Sequence, residues 1–502
     1  GIKNTFLNIK GYRSIKKNNL VDVSYYLKNN PDVKLSCMDP VIHYMYYGYK
    51  EGRRPNPSFD GDYYLSTYED VRDSSLNPLV HYALYGIKEG RTPICRLKSK
   101  ANKDQNKFEE KICPHMLIIS FCFTPYMDTS ANVVAKRIRE LNNVVDVIQN
   151  DMSGIRGIDK TSNLITEDLI GKQVVINAEP FFGSWGPIKD FCIKGMEQIE
   201  KNIQMKGEYS ELYSRAMFPA SHFLAFEYKL KYPNVKWVAE FSDPLLYDTE
   251  GKIRYSKIED TEFLNKINRI LLNKGFPQYD DNLFFLCEYL PYLFADVIIF
   301  TNKNQKKYMI NKFPIREITN IIEEKGQVRK HPTLEKKFYN IIETNYTLDK
   351  NYVNLAYFGR DYETRNLDDV FLALHGLKSE YQKKCRIHFF TSDVDGFNES
   401  MECNPIKENL IVNPYVDFLE FLNLTTKFDC LIVNDAYKTS DINPYLPSKL
   451  SDYWGSGTDI WAICEEGSAM SKYNVKYKSF LGDTRSARQT LKQIIQDCAF
   501  KV

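Results

Sequence analysis

From Met116 onward the chain repeats one pattern: a short apolar run, a loop, then a stretch of helical spacing. Met116–Phe123 is an apolar run that stops at Thr124-Pro125, as expected of a strand buried on both faces of a parallel sheet. Ser130–Leu141 then reads as an amphipathic helix with Ser130 or Asn132 near its start. Val144–Ile148, Gln173–Ile176, Val235–Glu240 and Asp296–Thr301 supply further strands. A second series opens at Val353–Phe358 and runs through Arg386–Thr391, Leu410–Val412, Cys430–Val433 and Asp459–Cys464. Strands alternating with helices predict doubly wound parallel sheets, and two series in succession predict two α/β halves with a cleft between them. Ligands of such sheets bind beyond the carboxyl ends of the strands. The loops Thr124–Ala131, Pro180–Pro187 and Phe241–Asp248 therefore matter most in the first half. Ser486–Cys498 has helical spacing and is expected to pack back across both halves.

Ahead of this lies an internal repeat with a constant offset of 38 residues. Tyr25-Tyr26-Leu27 recurs as Tyr63-Tyr64-Leu65, and His43-Tyr44 as His81-Tyr82. Lys50-Glu51-Gly52-Arg53 recurs as Lys88-Glu89-Gly90-Arg91. A duplicated unit of two short helices is predicted, the second starting after Pro40 or Pro78 and ending near Gly48 or Gly86. The paired histidines sit among aromatic residues without nearby carboxylates, which favours packing over metal binding. The reading is a two-repeat module over residues 1–96, a charged linker over 97–111, α/β domains over 112–320 and 321–485, and a terminal helix over 486–502.

Composition narrows the function. At 502 residues the chain is too long for one core. Its 67 basic and 65 acidic residues leave a net charge of only +2, so no global field draws it to nucleic acid. Eleven cysteines, an odd number with no CxxC pair, argue against a disulfide framework or a structural zinc site. No apolar run approaches the roughly 18 residues of a membrane span, and residues 1–20 are polar and lysine-rich, with no secretory signal visible. A cytoplasmic location is expected.

The sharpest chemical signal is Ala356-Tyr357-Phe358-Gly359-Arg360, with Arg365 five residues on. An apolar strand ends in glycine and two guanidiniums come after it, where the next helix would begin. That arrangement suits a diphosphate.

These residues resemble the bacterial GT-B glycosyltransferases, nearest to glycosyltransferase family 4, over about residues 112–502. The resemblance implies two Rossmann-like domains facing a cleft, with the helical repeat module added in front. Gly359-Arg360 and Arg365 look like that family's Gly-Arg…Lys signature for the donor diphosphate. Ala295–Ile299 with Thr301 is similar to the strand that closes the first domain. Leu446-Pro447-Ser448-Lys449-Leu450-Ser451-Asp452-Tyr453 resembles the segment in which a carboxylate opens a helix and holds the donor's ribose. Asp452 stands where the family has glutamate, and the family's companion glutamate falls at Pro444. Lys449 is then a third cation for the phosphates, Ser448 a helix cap or phosphate contact, and Tyr415 and Val416 the base-contacting loop. Asp243 lies where the family places a histidine that touches the donor sugar, with Glu240 as the competing carboxylate. Ser214-Arg215 and His222 are placed to reach the cleft, and Phe182–Gly186 reads as an aromatic loop for an acceptor sugar.

In function, the resemblance implies transfer of a sugar from a nucleotide sugar to a growing bacterial surface glycan, such as capsule, lipopolysaccharide or wall polysaccharide. Configuration would be retained and no protein nucleophile required. Arg360, Arg365 and Lys449 would take the leaving-group charge in place of a divalent metal, so no metal and no cofactor are expected. Nor is an Asp-x-Asp expected at a strand end of the catalytic half. The implied partners are the nucleotide sugar and a glycan acceptor, in the family often lipid-linked. Peripheral contact with the inner face of the cell membrane and self-association through the repeats go with that picture. Two rivals are a catalytically silent glycan-binding scaffold, motivated by Pro444, and a GT-B sugar-nucleotide epimerase using His222 or His331.

Overall fold

The computed structural model describes residues 2–36, 38–74, 76–93, 114–277, 281–359, 365–437 and 441–499. The chain divides into two units, Gly1–Lys111 and Ile112–Val502.

In the first unit each repeat has one helical segment more than the two expected: Val23–Asn29, Pro31–Ser36 and Pro40–His43 continuing as Tyr44–Gly48 in the first, Gly61–Thr67, Glu69–Asp73 and Pro78–His81 continuing as Tyr82–Gly86 in the second. The recurring residues explain one another. Tyr26 sends its hydroxyl to His43 Nδ1 at 3.0 Å, and Tyr64 does the same to His81 at 3.3 Å. Those hydroxyls press on Gly48 and Gly86, where a Cβ would collide with the phenol oxygen. Arg53 pairs with Asp32, and Arg91 with Asp70, each at 2.8 Å. Asp39 and Asn77 cap the helices that start at Pro40 and Pro78. The histidines are thus packing residues within their own repeats.

The second unit holds two parallel sheets. The first comprises β1 Met116–Ile119, β2 Val145–Asn150, β3 Ile170–Ile176, β4 Glu211–Ala216, β5 Lys236–Phe241, β6 Val297–Phe300 and β7 Gly326–Val328, in the order 3-2-1-4-5-6-7. The second comprises β8 Val353–Phe358, β9 Cys385–Thr391, β10 Leu410–Pro414, β11 Cys430–Asn434, β12 Asp459–Cys464 and β13 Tyr477–Phe480, in the order 10-9-8-11-12-13. Both repeat the Rossmann order, with a switch point between β1 and β4 and between β8 and β11. Two such sheets facing a cleft are the GT-B architecture.

Three strands escaped the sequence reading. β4 carries Ser214 and Arg215 in a buried central strand, which breaks the apolar run that normally betrays one. Ser214 accepts the Trp237 indole N–H at 2.8 Å, and Arg215 faces Glu240. β7 and β13 are short edge strands. β7 joins the first sheet at residues 326–328, past the boundary placed at 320. The terminal helix, Thr484–Ala499, is expected to pack across both halves, but among the described residues its buried face lies in the second half. Its Ala487, Leu491, Ile494 and Ile495 pack into the second half's own core with Trp461 and Leu374.

The halves are joined by shared interior. One apolar cluster runs from Ile118 and Ile138 through Phe338 and Tyr339 to Phe421 and Tyr453. Asp159 of the first half accepts the Phe418 amide at 2.7 Å, and Thr161 accepts the Leu419 amide at 3.0 Å. Two orphan donors at the start of helix Phe418–Thr425 are thereby capped from the opposite half. Lys136, in helix Thr129–Leu141, meets Asp452, in helix Lys449–Ser456, at 2.9 Å with both side chains at most 5% exposed.

Removing one partner of a buried ion pair strands the other, at a cost of about 3–5 kcal/mol, whereas an apolar replacement of both is often neutral. Lys136→Met should therefore lower stability by about that amount in denaturant unfolding. The double variant Lys136→Met/Asp452→Leu should recover most of it. Equal losses in both would show that the pair is not a coupled unit.

Candidate functional site

Two cavities of about 190 and 260 Å3 open between the halves and share Thr129 and Ser448. Lys136, Tyr415, Val416, Ser448, Lys449 and Asp452 line the first. Arg215, Asp243, His331, Arg365 and Ser448 line the second. Asp243, Arg365, Tyr415, Val416, Ser448, Lys449 and Asp452 thus border two adjoining cavities. Arg360 lies outside the described residues.

Lys449 sits on the first turn of its helix, and Ser448 occupies the N-cap position without making a side-chain capping bond. Its hydroxyl is therefore not spent on the helix. Burial, then the neighbouring Arg365 guanidinium, bring the Lys449 pKa down to about 8. Arg365 comes after β8 and keeps a buried Nε with no hydrogen-bond partner among the described residues. Neither cation joins an ion pair among those residues. Behind Arg365, burial pushes the Asp435 carboxyl up to about 6, although the Ser468 hydroxyl and Glu465 amide bind it.

Across the cleft the two candidate carboxylates separate cleanly. Glu240 is fully buried on β5 and clamped by Arg137 at 2.7 Å, Arg215 at 3.3 Å and the Tyr213 hydroxyl. Burial would raise its pKa, but Arg215 and Arg137 outweigh that and bring it to about 2. It is a structural counter-ion. Asp243, just past β5, opens into the second cavity and among the described residues takes only the Ser242 hydroxyl, at 3.3 Å. Protein around it desolvates the carboxylate and raises its pKa despite Arg215 and Arg365. A carboxylate held in this way can accept a hydrogen bond or a proton from a hydroxyl in the cleft.

Other residues sit differently from their sequence reading. Asp452 lines the first cavity, yet its Oδ1 is committed to Lys136. The Pro444 carbonyl accepts the Asn302 amide at 3.0 Å, which ties the halves at the position of the absent glutamate. His222 is buried against Phe241 and Trp237, with Nδ1 at 2.9 Å from Ser214 Oγ, and burial lowers its pKa to about 3. It does not line either cavity, whereas His331 lines the second, kept neutral chiefly by burial. Trp185 begins helix Trp185–Lys206 and packs on Phe263 and Phe223, so the aromatic loop is anchored in the body of the first half.

Sequence reasoning missed Lys136 and Asp159. Lys136-Arg137 lies within an amphipathic helix, where a basic pair reads as a solvated face. The available signal was spacing, since Val133, Val134 and Ile138 put both residues beside the apolar stripe. An Asp-x-Asp does stand after β9, contrary to expectation, as Asp393-Val394-Asp395. Asp393 caps helix Val394–Met401 at the Gly396 amide, 3.0 Å, and neither aspartate lines the cleft cavities. Among the described residues no group of three His, Cys, Asp or Glu side chains is placed to hold a metal. The eight described cysteines are free thiols, seven of them buried. No described helix is long and apolar enough to cross a membrane.

No family model and no curated protein matches the sequence. Among solved structures, a Rickettsia africae glycosyltransferase is similar at 12% identity and TM-score 0.44, over 77% of this chain and 93% of its own. WaaG, a glycosyltransferase of lipopolysaccharide biosynthesis, is similar at 9% and 0.43, over 76% and 90%. S. aureus MnaA with UDP is similar at 12% and 0.40, over 76% and 88%.

A lysine with a pKa of about 8 is half neutral one pH unit above physiological, unlike every solvated lysine. Reductive 13C-methylation should reveal one dimethyl-lysine resonance that titrates near that value and vanishes in Lys449→Arg. A spectrum in which all lysines titrate in the ordinary range would remove Lys449 from its buried, Arg365-facing position.

Proposed function

We propose that this protein transfers a glycosyl group from a nucleoside-diphosphate sugar to a hydroxyl of a glycan. The observation that carries the reading is Arg365 and Lys449, two cations without ion-pair partners among the described residues, sharing a cleft with the Asp243 carboxylate. Unneutralised guanidinium and ammonium groups at the carboxyl ends of a Rossmann-type sheet suit a diphosphate, and Arg360 is proposed to join them. A structural subunit has no use for such a charge excess.

In the proposed reaction the bond between the anomeric carbon and the diphosphate oxygen breaks as the acceptor oxygen bonds to that carbon. Arg365 and Lys449 hold the charge that grows on the departing diphosphate. Asp243 accepts a hydrogen bond from the acceptor hydroxyl and orients it, and the proton leaves on the diphosphate. With the leaving group held on the face the acceptor approaches, configuration is retained and no enzyme nucleophile is used. Cations in place give the charge stabilisation that a divalent metal supplies elsewhere, so the proposal includes metal independence. The acceptor is proposed to be a bacterial surface glycan. The epimerase alternative gains one feature, His331 on the cavity wall, and a donor-turnover assay reads it as interconversion of the free nucleotide sugar.

Thermal unfolding against nucleoside diphosphates and their sugars tests the reading. A matching nucleotide at about a hundred times its Kd should add about 2.7 kcal/mol, and Arg365→Ala/Lys449→Ala should abolish the shift. Lys449 is charged below about 8 and neutral above it, so affinity should fall as pH rises from 7 to 9. Asp243→Asn should keep nucleotide affinity and lose about 100-fold in transfer. Because the protein around the Asp243 carboxylate raises its pKa, the acid limb of the wild-type rate profile should lie above the ordinary carboxylate range. No shift with any nucleotide would overturn transfer in favour of a silent subunit.

A further inference from the structure

A third cavity between the halves, about 570 Å3, lies on the other side of helix Lys449–Ser456. Lys449 and Asp452, three residues apart, face the nucleotide side. Leu450, Ser451 and Trp454 face this one. The first half contributes Thr301 to Asn304 beyond β6 and Lys330 and His331 beyond β7. The second half adds Leu446, Pro447, Lys472 and Tyr473.

Its chemistry is lopsided. Lys303, Lys330 and Lys472 line it, and no carboxylate is among the lining residues. None of the three lysines joins an ion pair among the described residues, and the Lys330 ammonium rests 4.9 Å over the Tyr473 ring. Thr301 is 2% exposed, yet its hydroxyl has no hydrogen-bond partner among the described residues. A buried hydroxyl left without a partner in the wall of a cavity is costly. Trp454 presents an indole that is 52% exposed. Aromatic faces with cations at the rim suit a sugar ring carrying negative charge, whose C–H face stacks while the anion meets the ammonium groups.

We propose that this cavity binds an acidic saccharide, a sugar bearing a phosphate or a carboxylate, on the face of the helix turned away from Lys449. An uncharged sugar leaves the lysines unanswered, and a bare anion leaves the indole unused. The inference stands on its own residues and does not require the transfer reading.

Trp454 gives the readout, because Trp237 and Trp461 are fully buried and Trp185 is packed. Wild-type fluorescence is titrated with glucose 6-phosphate, glucuronate, glucose and inorganic phosphate. At least one of the two acidic sugars should give a saturable change, with glucose and phosphate about tenfold weaker or more. Which acidic sugar responds separates phosphate from carboxylate. Lys303→Ala/Lys472→Ala alters two exposed side chains, so its melting temperature should be unchanged while acidic-sugar affinity falls about tenfold. Arg365→Ala should leave that affinity intact, which keeps this test separate from nucleotide binding. Calorimetry on Trp454→Phe should show weakened binding of the same sugar. No response to either acidic sugar overturns the proposal. So does a response that survives the lysine substitutions, or one lost in Arg365→Ala, which would place the anion among the nucleotide-facing cations.

Discussion

Helix Lys449–Ser456 owes its position to the buried Lys136–Asp452 ion pair, and the site depends on that helix. Taking both charges from water costs several kcal/mol per ion, so the pair adds little net stability. Its contribution is geometry. Lys136 also donates to Ser451 Oγ at 3.1 Å, and the Tyr339 hydroxyl donates to the Asp452 carbonyl at 2.6 Å. With Leu450 and Tyr453 sunk in the shared apolar cluster, the helix is held against rotation. Ser448 and Lys449 therefore meet the cleft from a fixed direction.

Charge balance obeys the same division of labour. Two deeply buried carboxylates near the cleft have their counter-charges: Glu240 with Arg137 and Arg215, Asp452 with Lys136. Full neutralisation would leave an inert interface. Arg365 and Lys449 remain unmatched among the described residues, and their mutual repulsion helps bring the lysine pKa down to about 8. A folded protein tolerates such repulsion where a bound anion relieves it. On the transfer reading, that anion is the donor diphosphate, and ordinary lysine behaviour returns when it binds.

Much of the fold was legible in the sequence because the signals were local. Largely apolar runs such as Val353–Phe358 disclosed strands, and the 38-residue offset disclosed the repeat, though not the Tyr–His and Arg–Asp contacts inside it. The cleft residues Arg365, Lys449 and Asp243 stand at strand or helix ends, where one element predicts exposure to the cleft. The unread parts depended on partners distant in sequence. β4 hides behind Ser214 and Arg215, whose polarity is satisfied by Trp237 and Glu240, more than 20 residues on. Asp159 caps a helix 259 residues away, and Lys136 pairs 316 residues away. Such contacts leave no periodicity for a sequence window to detect. Asp452 shows the limit of motif transfer, since its position matched a ribose-binding carboxylate while its charge is matched by Lys136.

The same helix separates two kinds of surface at a spacing of one turn. Lys449 and Asp452 look toward the cavity that Tyr415 and Val416 also line, whereas Ser451 and Trp454 look toward the lysine-lined cavity. Ser451 joins the sides directly, since its hydroxyl takes the Lys136 ammonium and its carbonyl takes the Thr333 hydroxyl at 3.1 Å. His331, Leu446 and Pro447 border both the Asp243 cavity and the lysine-lined one. A ligand that shifts these residues on one side must alter the wall of the other. If binding on the two sides is coupled, the coupling is reciprocal, whichever ligand arrives first. A rigid helix pinned by one ion pair is well suited to carry that coupling, because it can move as a body while each face keeps its own chemistry.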